Sequence, residues 1–161
     1  MKVTKTLFIS IILIVTIIGA SFLLYKDKIT TSNAIYIIKS EKSISETGTA
    51  LVTALKKRGF GVLIVHNFKE TFSEKGISFD KECLVYEVCN PVQAKKILES
   101  DIRMSTSLPC RISIFSEGNT IKLATIRPSA IVTMFNNTGL SDSAQEVENI
   151  MIESMNEAVS N

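Results

Sequence analysis

Three cysteines, Cys83, Cys89 and Cys110, and a single histidine, His66, are the side chains here best suited to nucleophilic, redox or soft-metal chemistry. Cys89 is followed directly by Asn90 and Pro91, the residue types of a helix N-cap and first helical position. A helix opening there sets its positive end beside Cys89. That placement lowers a thiol pKa, which is how reactive thiolates are made. The common catalytic signatures are missing. The sequence has no Cys-x-x-Cys pair, nucleophile elbow, phosphate loop, dinucleotide fingerprint, zincin helix or EF-hand loop.

The joint chemistry of these residues depends on which strands carry them. If the strands ending at Val65 and Cys89 run parallel, as helix-linked strands generally do, His66 and Cys89 emerge at the same edge of the sheet. If the strand at Arg111 lies antiparallel beside the strand at Leu84, Cys110 at its start comes opposite Cys89. Cys83 sits six residues before Cys89, too far along one strand to share its site. Cys89 and Cys110 then have a bland reading, as a disulfide or as two packed thiols, and a functional one, as a redox pair or ligand-holding pair. A metal held by Cys89, Cys110 and His66 lacks zinc-site spacing and an evident fourth ligand, so His66 is at most a weak candidate and reads first as a strand-end histidine. Asn90 is a helix cap before it is a site residue.

The elements that must position these groups follow from pattern. Residues 34–38 are β-branched and aromatic, which suits a strand. Ser43-Ile44-Ser45-Glu46 is a capping box; Ile44, Leu51 and Leu55 recur at helical spacing, and Gly59 follows a basic last turn of Lys56-Lys57-Arg58. A strand over 61–65 follows, then a short helix capped by Asn67 and ending at Gly76, then a strand over 84–89. The Pro91 helix buries Ala94, Ile97 and Leu98, with Gln93 completing a capping-box-like arrangement. Strands over 111–116 and 120–126 flank Glu117-Gly118-Asn119, a hairpin loop. Residues 129–135 form a short helix, and a last helix opening at Ser143 presents Ala144, Val147, Met151, Met155 and Ala158 on one face. The order β-α-β-α-β-α-β-β-α-α predicts an α+β two-layer sandwich with a mixed sheet.

Val88-Cys89-Asn90-Pro91 with Ala94, followed by Leu108-Pro109-Cys110-Arg111-Ile112-Ser113-Ile114, resembles the hallmark pair of the domain-of-unknown-function 302 (DUF302) family. Gly59-Phe60 and the Gly76 turn fit the same pattern, and the resemblance spans roughly residues 43–128. It implies a compact α+β domain and singles out Cys89 and Cys110 without naming a substrate. His66 has no counterpart in the family pattern.

The chain of 161 residues carries a formal charge of +2 without a concentrated basic stripe, so nucleic acid is not an expected partner. Residues 7–24 are eighteen uncharged residues flanked by Lys2 and Lys5 before and Lys26 and Lys28 after. That length spans a bilayer, and it exceeds the apolar stretch of a cleavable signal peptide, for which Ile18-Gly19-Ala20 is the sole candidate site. The expectation is a retained signal anchor in the cytoplasmic membrane, residues 1–6 in the cytoplasm, a tether over 25–33, and one domain over 34–161 on the extracytoplasmic side. Asn136-Asn137-Thr138 matches a glycosylation acceptor. Two function classes survive. One is a tethered module binding a small ligand, metal or sulfur species near Cys89 and Cys110; the other is a thiol-based redox enzyme in which one of these cysteines attacks and the other resolves.

Overall fold

A computed structural model describes residues 34–160. The expected anchor and tether lie outside the described residues, among which no helix is long and apolar enough to cross a membrane. Strand β1 (Ile35–Ser40) leads into helix α1 (Ile44–Lys57), strand β2 (Gly61–Asn67) and the short helix α2 (Phe68–Ser73). Strand β3 (Cys83–Cys89) is followed by α3 (Pro91–Ser100) and a 3-10 turn (Ile102–Ser107). A hairpin of β4 (Cys110–Glu117) and β5 (Thr120–Ile126) precedes α4 (Pro128–Met134), a second 3-10 turn (Thr138–Leu140) and the long α5 (Ser141–Val159).

The five strands form one sheet in the order β1-β5-β4-β3-β2, and every neighbouring pair is antiparallel. The expected α+β layering holds, but the mixed sheet does not. Parallel neighbours need a crossover that lays a helix over the sheet. Helix α2 is six residues long and buries none of them, so the chain turns back beside β2. Helix α3 packs on the 3-10 turn after it and on α5, at the end of the sheet, so β4 returns beside β3 in the opposite sense.

Helices α1 and α5 pack together over one face of the sheet. Helix α1 starts at the expected capping box: the Ser43 hydroxyl accepts from Glu46 N at 3.3 Å while Glu46 Oε2 accepts from Ser43 N at 3.0 Å. Its Gly48 is required by close approach, since a Cβ there would lie 2.2 Å from the Tyr86 hydroxyl oxygen. Leu51, Leu55, Val88, Ile112, Ile114, Leu123, Met151 and Met155 form a fully buried core, so the methionines pack as expected. Helix α5 begins at Ser141, two residues before the expected Ser143, because the 3-10 turn at Leu140 runs into it without a side-chain cap. A second, smaller cluster of Ile97, Met104, Val132, Leu140 and Ala144 closes the end of the sheet where β3 stops and β4 starts.

Candidate functional site

The chain leaves β3 at Cys89 and enters α3 through Asn90, whose Oδ1 accepts from Val92 N at 3.0 Å and Gln93 N at 3.1 Å. Pro91 occupies the first helical turn, where its missing N–H leaves no donor unpaired. Gly59 (φ +76°) lets the α1–β2 turn come close, since a Cβ on it would sit 3.3 Å from Asn90 Nδ2. On the neighbouring strand Cys110 is paired with Val88, one residue from Cys89. Cys89, Asn90 and Cys110 therefore lie at one end of the sheet, but the register sets Cys110 on the core face with Val88 while the alternation of β3 turns Cys89 toward the other face, so the expected pairing of the two thiols is not what the strands provide.

All three residues border a cavity of about 40 Å³ at the seam between the two apolar clusters. Val88, Phe60 and Val147 line it from the main core, and Ile97, Met104 and Val132 from the smaller one. A water molecule needs roughly 10–15 Å³ by this kind of measure. The space thus suits about three heavy atoms. Gln93 lines the same cavity, and among the described residues its Oε1 is buried without a hydrogen-bond partner. An unpaired buried acceptor is destabilising by about 1–3 kcal/mol, so this oxygen is held at a cost that a donor entering the cavity would offset.

Both thiols are free, and both are held in the protonated form. Burial, then the neighbouring Cys89 sulfur, pushes Cys110 up to about 11, against smaller opposing pulls from Arg111 and its own backbone. Burial also raises Cys89. This reverses the lowered Cys89 pKa expected from the helix N-terminus. The first-turn amides of Val92 and Gln93 that would stabilise a thiolate already donate to Asn90 Oδ1, so burial dominates.

His66 lies elsewhere. Because β2 and β3 are antiparallel, His66 pairs with Val85 while Cys89 pairs with Gly61 at the opposite end, and His66 Nε2 is 3.3 Å from Glu87 Oε1. The three-residue metal reading with His66 therefore fails on topology, and among the described residues no three His, Cys, Asp or Glu side chains gather as a metal ion would need. Cys83 is opposite Phe115 at the far end of β3. Arg127 precedes α4, and its Nη1 donates to the buried Glu148 at 2.6 Å.

Sequence reasoning missed Gln93 as a site residue by reading it as a capping partner of Asn90. The available signal was its position four residues before Ile97, which puts a polar side chain on the buried face of α3.

Residues 36–158 match the family model described as "Domain of unknown function DUF302". The crystal structure of an uncharacterized conserved protein DUF302 from Bacillus stearothermophilus is similar at 28% identity and a TM-score of 0.76, covering 78% of this chain and 98% of that one. No curated protein matches the chain.

Proposed function

We propose that this chain, which belongs to the DUF302 family, is a membrane-tethered binding module for a small neutral molecule, held outside the cytoplasm by residues 7–24. The observation that carries the binding reading is the Gln93 oxygen, buried and unpaired at the wall of an apolar cavity shared with Cys89, Asn90 and Cys110. A fitting ligand has a compact apolar or polarisable body, which the core-facing Cys110 and the aliphatic walls contact, and one hydrogen-bond donor for Gln93 Oε1. The charge pattern around residues 7–24 supports the topology.

A thiol redox enzyme needs at least one accessible thiolate. The upward pKa displacement of Cys89 and Cys110 weighs against it. One experiment separates the two readings: the rate at which iodoacetamide alkylates each cysteine at pH 7, with and without formamide as a small donor probe. The binding module predicts slow labelling of Cys89 and Cys110, slowed further by formamide at tens of millimolar. Labelling of either residue faster than free cysteine, unaffected by formamide, supports the redox enzyme instead.

A further inference from the structure

The sheet has a second face that no part of the binding reading uses. Residues alternate across each strand, so Tyr36, Leu84, Ile112 and Leu123 point toward α1 and α5 while their neighbours point away. On the outward side Ile35, Ile37, Ile64 and Ile126 are 47%, 55%, 52% and 56% exposed. The pairing register joins the outward residues into rows. Ile37, Ala124, Ser113, Val85 and His66 run across all five strands, and Ile35 stands against Ile126 beside them. Single exposed apolar residues are ordinary, but a contiguous patch of them marks a contact surface.

Between the apolar flanks lies a short ionic strip. Glu87 Oε1 sits 3.3 Å from His66 Nε2 and 3.4 Å from Arg111 Nε, at the base of an open cleft of about 470 Å³. The Arg111 side chain is 57% exposed, and among the described residues its terminal nitrogens make no hydrogen bond. Acid and base therefore stand side by side, with donors to spare and apolar surface on both flanks. A surface of that kind is complementary to a copy of itself. An anionic lipid surface would meet Glu87, and a partner carrying one sign of charge would oppose half of the strip.

We infer that the open face of the sheet is an isologous dimer interface, in which two copies of this chain pack face to face, with Arg111 of each reaching Glu87 of the partner copy. The ionic strip sets the register and the isoleucines contribute most of the burial. The inference does not depend on the cavity on the other face of the sheet.

The test is the molar mass of the full chain in density-matched detergent by sedimentation equilibrium, against 17.8 kDa for one copy. The wild-type chain is expected at twice that mass. Ile37→Lys and, separately, Ile126→Lys should weaken the dimer at least about 30-fold. Both positions are more than half exposed, so the thermal transition of each variant should remain near that of the wild type. Arg111→Glu should also dissociate the dimer, and the swapped variant Glu87→Arg with Arg111→Glu should restore it. A wild-type chain that sediments as one copy at 100-fold varied concentration overturns the inference. So does a dimer that survives both lysine variants, because its contact would then lie elsewhere.

Discussion

Replacing Gln93 with methionine should make the ligand-free protein more stable. The side chain keeps its length and flexibility but loses the buried oxygen that has no partner. Relieving an unsatisfied acceptor recovers about 1–2 kcal/mol of its desolvation penalty, and methionine adapts to an irregular cavity wall at little packing cost. Asn90 Oδ1 bonds the backbone nitrogen of Gln93, not its side chain, so the cap of α3 is untouched. For a domain of this size such a gain corresponds to a rise in melting temperature of roughly 3–8 °C. The assay is calorimetric unfolding of wild-type chain and variant side by side, without added ligand. Gln93→Glu is the contrast: a carboxylate in the same place would be driven upward in pKa by burial. Its destabilisation at neutral pH should shrink as the pH falls and the group becomes protonated. A Gln93→Met protein that melts below the wild type would refute the reasoning, since the oxygen would then have to be satisfied in the resting state and the cavity would carry no recognition group.

Other substitutions probe the frame that holds the site. Asn90→Ala removes both bonds that Oδ1 accepts at the start of α3 and should lower stability by about 1 kcal/mol, with Asn90→Asp recovering most of it in the same melting experiment. Gly48→Ala should destabilise by about 1–3 kcal/mol despite alanine's helix preference, because its Cβ would press on the Tyr86 hydroxyl, and adding Tyr86→Phe should return part of that loss. Burial pulls the Glu148 carboxyl upward, but its bonds from Ser129 and Arg127 outweigh that and hold it below the usual range. A depressed folded pKa contributes stability above the unfolded carboxylate value of about 4.3 and loses it as the pH falls through the folded value. Glu148→Gln should therefore flatten that part of the acid unfolding profile. A chain begun near Thr30 should be soluble and unfold in one cooperative transition, as the anchor reading of residues 7–24 expects.

Legibility in the sequence followed how local each determinant is. Helix α1 was readable because its start at Ser43, its apolar face through Leu51 and Leu55, and its stop at Gly59 agree within one segment. The β4–β5 hairpin was readable from Gly118, whose φ of +58° the loop needs. Strand direction was readable only in part. Helix-linked strands suggested that β2 and β3 run parallel, but α2 is too short to carry the chain over the sheet and they pair antiparallel, while the antiparallel arrangement read for β3 and β4 is the one found. Strand pairing decides the site. The β3–β4 pairing sets Cys89 and Cys110 at one end of the sheet, though on opposite faces, and the β2–β3 pairing sends His66 to the other end. The direction of the thiol shifts was equally hidden, because a helix start beside Cys89 is visible in the sequence while the closure of two apolar clusters around Cys110 is not.

The account rests on Gln93 Oε1 receiving a donor inside the cavity, and an NMR titration of the Gln93 side-chain amide reads that contact directly. About three heavy atoms, at no more than about 1.5 kcal/mol each, bind with at best roughly −4.5 kcal/mol, a dissociation constant near the millimolar range. Formamide titrated to tens of millimolar into the isotopically labelled chain is expected to shift the Gln93 side-chain amide together with cavity-wall signals from Val88, Ile97 and Val132. These shifts should saturate along one curve, and the wall shifts should be lost in Gln93→Met. A Gln93 amide that stays still while formamide shifts surface signals, or wall shifts that persist unchanged in Gln93→Met, would contradict the binding site.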